Sequence, residues 1–417
     1  MTTIRHMLTR TAALGLLAGA VACDSFLEVD NPNVIDASTI DPLQDATTLA
    51  NSAQQNYAAA YGWMIMYSSW YSGETLVAET FPTRNEFGRR QVLNTNGSLT
   101  ADLWNNITLA VAGARAVLQL DLPNPTTNIN VARAATWAGY AVLHMALDFC
   151  EGTIAQGTDP GPRLTPVNLL DSAVAYFTTA ITVGTANATA DGLALARASL
   201  VGRARAHLQA GRKTQAAADA QAVPAGFVFN FPYIDDLGNR NRLSNRLWQF
   251  TSDRGSISIA PAYRITDPRV KFLTPTQHNL APQDPSSGPF FIQQKYPAFN
   301  SPIRVASKLE ADYILAETQG VAEQLALINA RRAANQQPAY SGPTDANSVL
   351  TELMNQKTLD FFLEGRKLGD FRRLPNNVLN VPVPGTPYFK PGFPPVSNGT
   401  CYPVPDDETD NNPNWTS

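Results

Sequence analysis

Apolar residues along most of this chain recur at three- and four-residue steps, the mark of helices with one buried face. A helix is expected from Asp45 through Ala46, Leu49, Ala53 and Tyr57. Helix returns at Asp102, with Leu103, Ile107, Val111, Ala114 and Leu118 on one side, and Pro123 and Pro125 close it. Val131 to Phe149 is apolar nearly all round, which predicts a helix buried between neighbours. Ala173, Phe177, Ala180 and Ile181 mark the next. Residues 193–209 and 213–223 form a pair hinged at Gly211, and 308–334 form another around Gly320. A last helix is expected from Ser348 to Leu374.

Ala204, Ala216 and Ala220 are small enough to let paired helices approach closely, and stacked hairpins bury what one hairpin cannot. The pattern resembles tetratricopeptide repeats without meeting their full consensus. A generic Ala-rich helical hairpin satisfies it too. Residues 224–302 change character, with crowded prolines and aromatics. Within them GFVFNFPYI (226–234) alternates like a short strand, and Pro232 puts it at a sheet edge. The division expected is a helical part over 46–223, an irregular, loop-rich ligand region over 224–302, a second helical part over 303–374 and an irregular tail over 375–417, packed on the body.

The N-terminus reads as an export signal. Arg5 and Arg10 form a basic start, and Thr11 to Ala22 is apolar, small and too short to span a bilayer. Ala20-Val21-Ala22-Cys23 has the form of a bacterial lipobox, which makes Cys23 the lipidation site, residues 1–22 the signal peptide and 23–45 a polar tether. The other two cysteines, Cys150 and Cys401, can pair in an exported compartment or remain buried thiols.

The formal net charge of −4 and the lack of any basic run leave a nucleic-acid partner without electrostatic support. Charged residues are only 16% of the chain, a surface better suited to neutral polar ligands than to ionic ones. Catalytic signatures are missing. The four histidines show no metal spacing, and there is no H-E-x-x-H, no G-x-S-x-G and no phosphate-cradling glycine loop. No metal and no cofactor is expected. His144 and His207 fall on buried helix faces and read as structural. Glu74 and Glu79 are the one candidate carboxylate pair for glycoside hydrolysis, and read better as hydrogen-bonding groups. Asp406-Asp407-Glu408 lacks the ligand alternation of a calcium loop.

Four stretches resemble the SusD/RagB family of outer-membrane nutrient-binding lipoproteins. They are CDSFLEVDNPN after the lipobox, EADYILAE with LALINARRAAN, LMNQKTLDFFLEGRKLGDFRRL, and CYPVPDDETDNNPN near the end. Gln356-Lys357 stands where the family carries Glu-Arg, and Asp360 replaces a usual Glu. The resemblance implies a mainly α fold, a superhelix of tetratricopeptide-like helical pairs capped by an irregular region of loops and small hairpins. It implies a binding protein, not an enzyme, lipid-anchored on the outer membrane and facing outward. Such a protein binds glycans and passes them to a SusC-like TonB-dependent transporter. Binding of peptides or other nutrients, or a scaffold without a small ligand, are the alternatives on the same fold.

The resemblance also places the ligand groove in 67–105 and 233–300. There, Trp70, Tyr71, Glu74, Arg84, Asn85, Arg89, Trp248 and Tyr263 are the candidate ligand contacts, since rings stack on sugar C–H faces and planar polar groups read hydroxyls. Trp70 and Tyr71 lead, because a turn at Gly73 is expected to leave their rings exposed. Glu364, Arg366, Asp370, Arg372 and Arg373 are expected to lock the last helix to the tail, with Gly365 permitting a close helix contact.

Overall fold

The structure, a computed structural model, describes residues 41–156, 159–374 and 378–416. The signal, Cys23 and the tether up to residue 40 lie outside the described residues. The chain divides into two compact units, Met1–Asp45 and Ala46–Ser417, and the architecture below is that of the second.

Besides the short turns Arg240–Leu243 and Arg246–Trp248, the helices among the described residues are α1 (Pro42–Tyr71), α2 (Pro82–Gly88), α3 (Asn105–Leu118), α4 (Ile129–Asp148), α5 (Pro166–Asn187), α6 (Ala190–Gln209), α7 (Lys213–Ala222), α8 (Lys308–Gln319), α9 (Val321–Ala334), α10 (Ala346–Asp360), α11 (Lys367–Arg373) and α12 (Asp406–Asn411). From α3 to α10 each helix packs on the next in an unbroken stack of pairs, as the tetratricopeptide-like reading requires. Several helices start earlier than apolar spacing alone suggests, because a polar cap sets the start. Asn128 caps α4, Thr165 and Asn168 form a capping box on α5, and Thr189 caps α6. Small residues let the stack close. A side chain at Gly139 or Gly202 would lie 2.7 or 2.4 Å from the Phe177 ring, so the two glycines make the slot that Phe177 fills.

Among the described residues there are three two-stranded antiparallel sheets. β1 (Thr75–Val77) pairs with β3 (Ile257–Ile259), β2 (Val228–Phe231) with β6 (Ile303–Ser307), and β4 (Phe272–Leu273) with β5 (Ile292–Gln293). Two of them, β1–β3 and β2–β6, clip the irregular region to this scaffold. β2 stops before Pro232, as the sequence suggests. The β1–β3 pair fixes the segment after α1 against residues 250–260. Cys150 and Cys401 form a disulfide across 251 residues, tying the end of α4 to the tail. Beside it the Cys150 N–H donates to the Tyr402 carbonyl and the Tyr402 N–H to the Asp148 carbonyl, both at 2.8 Å. The tail is irregular apart from α12.

The expected single helix from Ser348 to Leu374 is broken at 361–366. Leu363 and Gly365 take left-handed φ values of 56° and 68°, which an α-helix does not accommodate. A Cβ at Gly365 would lie 3.3 Å from Ile65, so this turn presses on α1. The break aims a row of buried charges at different elements. Asp360 meets Arg331 at 2.8 Å and Arg269 at 3.3 Å, while Glu364 meets Lys295 at 2.6 Å and Arg304 at 2.8 Å. Arg366 meets Glu310, which also holds Arg205. Asp370 meets Lys357 at 2.7 Å and Arg373 at 2.5 Å. These groups lock the segment to α6, α8, β6 and the irregular region rather than to the tail. Lys367 does reach the tail, donating to the Asn380 carbonyl at 2.6 Å. Burial alone would raise the Glu364 carboxyl, but Lys295 and Arg304 hold it below the ordinary carboxylate range.

Removing one partner of such a network leaves a stranded charge. Glu364→Ala is therefore expected to cost about 3–5 kcal/mol, read as a lower urea midpoint at constant m-value. Asp148 sets a pH dependence. Burial pushes its carboxyl up to about 8, against the pull of Arg372 and Arg205. The folded state thus keeps a proton that the unfolded chain releases near pH 4. The resulting stability is fully present below about pH 4 and is lost as pH rises through 8. The wild type should lose up to ~1.4 kcal/mol per pH unit relative to Asp148→Asn between pH 5 and 8. Parallel urea midpoints for the two proteins across that range would refute it.

Candidate functional site

Two faces that the sequence separates, 67–105 and 246–254, meet beside the β1–β3 clip. Two π-helical turns shape the junction, Leu99–Trp104 and Gln249–Asp253, and each carries a site residue, Asp102 and Phe250. The helix expected to start at Asp102 thus begins with a wider turn. Arg84 on α2 lies at the centre. Its guanidinium donates to both Glu79 oxygens at 3.0 Å, to Asp102 at 3.1 Å and to the Tyr67 hydroxyl at 3.0 Å. Tyr67 donates in turn to Asp102 at 2.5 Å. Burial opposes charge on Arg84, yet Tyr67, Glu79 and Asp102 hold its pKa above the usual arginine value. Burial, then Asp102, pushes the Tyr67 hydroxyl well up, so it stays a donor.

Aromatic rings frame this cluster. Arg84 lies 5.0 Å from the Phe250 ring, 5.2 Å from Phe81 and 5.9 Å from Trp63. Trp63 meets Phe250 edge-on at 5.2 Å. Arg246 sits 4.2 Å over Trp63, and Arg254 4.8 Å from Phe250. Phe81 is 50% exposed, Arg254 is exposed and Trp63 half-buried, so rings and a guanidinium reach solvent together. The arrangement can stack a flat apolar face and hydrogen-bond hydroxyl or anionic groups beside it.

Of the candidate contacts read from the sequence, Arg84 belongs to this surface. Trp248, half-buried, lies two residues from Phe250 and meets Phe299 edge-on at 6.4 Å. The others are buried in the body. Trp70 and Tyr71, expected to be exposed, are each 1% exposed. α1 runs through both before the chain turns, so their rings face inward. Trp70 packs edge-on against Tyr67 at 5.1 Å, and the Tyr71 hydroxyl donates to the Cys401 carbonyl at 3.1 Å. Glu74 accepts from the Leu363 N–H at 3.2 Å, and burial pushes it up to about 7, with Lys367 opposing. Asn85 donates to the Glu79 and Phe81 carbonyls at 2.9 Å and accepts from Tyr388 at 3.0 Å. Arg89 donates to Gln91 at 2.9 Å. Tyr263 stacks on Phe362 at 4.9 Å. Glu74 and Glu79 are each held by separate partners, and no cluster of metal-ligating side chains occurs among the described residues. Trp63, Phe81, Asp102, Arg246, Phe250 and Arg254 were not among the contacts read from the sequence. Their signal is spacing: Trp63 and Tyr67 lie four apart on α1, and Arg246, Phe250 and Arg254 recur every four residues.

A cleft of about 620 Å³ lies between α3, residues 153–155 and 159–161, and α12. Among the described residues no aromatic side chain lines it, and Asp159, Asp407 and Glu408 outnumber its one guanidinium, Arg115. It offers no ring for a sugar face, so the surface around Arg84 is the better candidate.

The whole architecture recurs in solved structures. A SusD-like carbohydrate binding protein from Bacteroides vulgatus ATCC 8482 aligns over 89% of this chain and 96% of its own, with TM-score 0.66 and 14% identity. A SusD superfamily protein from the same organism aligns over 89% and 98%, with TM-score 0.64 and 14% identity. A SusD/RagB family protein from Bacteroides thetaiotaomicron aligns over 88% and 94%, with TM-score 0.63 and 15% identity. The chain has the SusD fold. No protein-family model matches the chain, and no curated protein does. At this identity the likeness speaks for the SusD fold alone.

Burial separates the two aromatic sets in a measurable way. Trp70→Ala should cost about 3–5 kcal/mol of stability, as truncation of a core tryptophan does. Phe81→Ala, at the surface, should change the urea midpoint by less than about 0.5 kcal/mol equivalent. Equal losses for both would overturn the assignment of Phe81 to the surface site.

Proposed function

We propose that this chain is a SusD/RagB-family surface lipoprotein that binds glycans and delivers them to a SusC-like TonB-dependent transporter in the outer membrane. The observation that carries the reading is the Arg84-centred surface of rings and directional polar groups, on a fold shared with a SusD-like carbohydrate binding protein. Trp63 and Phe81 offer faces for sugar C–H groups, while Arg84 and Asp102 offer a donor and an acceptor for hydroxyls. Both groups are held in place before any ligand arrives, which lowers the entropy lost on binding. The lipobox at Cys23 supports anchoring by lipid, and the polar tether supports a body held off the membrane surface. The role is capture without bond cleavage.

Isothermal calorimetry of the mature protein against a panel of neutral and acidic oligosaccharides tests this. At least one class should bind, and Phe81→Ala should weaken it by about tenfold, ~1.4 kcal/mol, with the fold intact. A panel that binds nowhere, alongside measurable binding of oligopeptides, would replace the glycan reading with a peptide one.

A further inference from the structure

The charge around Phe250 narrows the ligand class, an inference that rests on the glycan reading above. Three guanidinium groups surround this one ring: Arg254 at 4.8 Å, Arg84 at 5.0 Å and Arg246 at 5.9 Å. Of the carboxylates in these turns, Glu79 and Asp102 both pair with Arg84, and exposed Asp253 precedes Arg254 without forming an ion pair with it. Among the described residues, no carboxylate lies within ion-pair distance of Arg246 or Arg254. Nearby Asp235 is already paired with Arg240 at 2.7 Å. Arg246 donates instead to the neutral Gln249 side chain at 2.7 Å and to the Asn241 carbonyl.

A buried cation that lacks an anionic partner is costly, because desolvation is not offset by an ion pair. Arg246 is only 5% exposed. Burial pushes its pKa down to about 10, and Arg254 and Arg84 push the same way, with Asp102 opposing. The Arg246 charge lies 4.2 Å from the Trp63 ring and within electrostatic reach of exposed Arg254. An anionic substituent on a sugar resting on Trp63 or Phe81 would supply the missing counter-charge.

We infer that the site selects acidic glycans, whose sugars carry carboxylate or sulfate groups, over neutral ones of the same length. The exposed Arg254 makes the direct contact, as a charge-assisted pair with the acidic group. Arg246 contributes its field from below. Planar guanidinium matches carboxylate and sulfate oxygens in pairs, which a lysine at 254 would not reproduce. This reverses the expectation of a neutral ligand drawn from overall composition. A chain of net charge −4 concentrates unpaired positive charge on its ligand face.

The test is calorimetry of the mature protein with four probes: tetragalacturonate, a sulfated galactose tetramer, the unsulfated galactose tetramer and cellotetraose. At least one acidic probe should bind about tenfold or more tightly than both neutral ones, and its affinity should fall as salt rises from 50 to 500 mM. Tighter binding of tetragalacturonate assigns the anion as carboxylate, and tighter binding of the sulfated tetramer as sulfate. Arg254→Gln should weaken the acidic probe by about tenfold, flatten its salt dependence and leave thermal unfolding unchanged, with Arg254→Lys recovering only part of the affinity. Neutral probes binding as tightly as acidic ones would overturn the acidic preference and leave the glycan reading standing. Binding of none of the four would sink both. An acidic probe whose affinity ignores Arg254→Gln would remove Arg254 from the site.

Discussion

The buried carboxylates of the 360–370 segment hold this molecule in its working form. Asp360, Glu364 and Asp370 each neutralise two basic groups, and Glu310 neutralises Arg205 and Arg366 together. Lys357 and Arg373 are local, but most partners come from distant stretches of chain. Lys295 belongs to the irregular region, Arg304 to β6, Arg205 to α6 and Arg331 to α9. Charges so deeply buried are tolerated only when paired, so each pair also forbids any other arrangement of the elements that supply it. Hydrophobic packing fills the spaces between helices, but it is less selective than a salt bridge about which helix meets which. The chain breaks its last helix at Leu363 and Gly365 to let these charges point in several directions.

The ligand face inherits its rigidity from this lock. Leu363 donates to Glu74 at the start of β1, and β1 pairs with β3 just beyond the π-helical turn that carries Phe250. The segment that positions Arg84 and the segment that positions Arg254 are thereby fixed to one another. The resulting surface is polar and aromatic, yet its geometry is set from within by buried groups away from that surface. The stretch at 353–374 is thus structural, and the candidate site lies on the parts of the chain that look least regular.

Helical pairs were legible from the sequence because their spacing and small residues follow from local geometry. Gly211 and Gly320 do mark the turns between partners, and Asn128, Thr165 and Thr189 set the starts of their helices. The break at 361–366 was not legible, since it answers to charges distant in sequence. Nor did the three cysteines reveal a pair, because 251 residues separate Cys150 from Cys401. The candidate surface lies in segments the resemblance pointed to, while most of its residues were not among those read from the sequence. Trp70 and Tyr71 carry the right chemistry but lie on the inward side of α1, while Trp63, seven residues earlier than Trp70, reaches the surface. Which side of a helix faces solvent depends on what packs against it, and for α1 that includes a tail more than 300 residues away. Arg84 was identified because a resemblance pointed to its segment. Its partners Asp102 and Phe250 come from π-helical turns that no simple period announces.

Hydrogen exchange of the mature protein with and without a bound oligosaccharide tests the central claim most directly, since it reports where ligand protects the backbone and where it does not. The account predicts added protection confined to 79–84, 99–104 and 246–254, with 360–370 slow to exchange in both states. Protection appearing at 105–115 and 407–412 instead would move the site to the cleft beside α12 and contradict it.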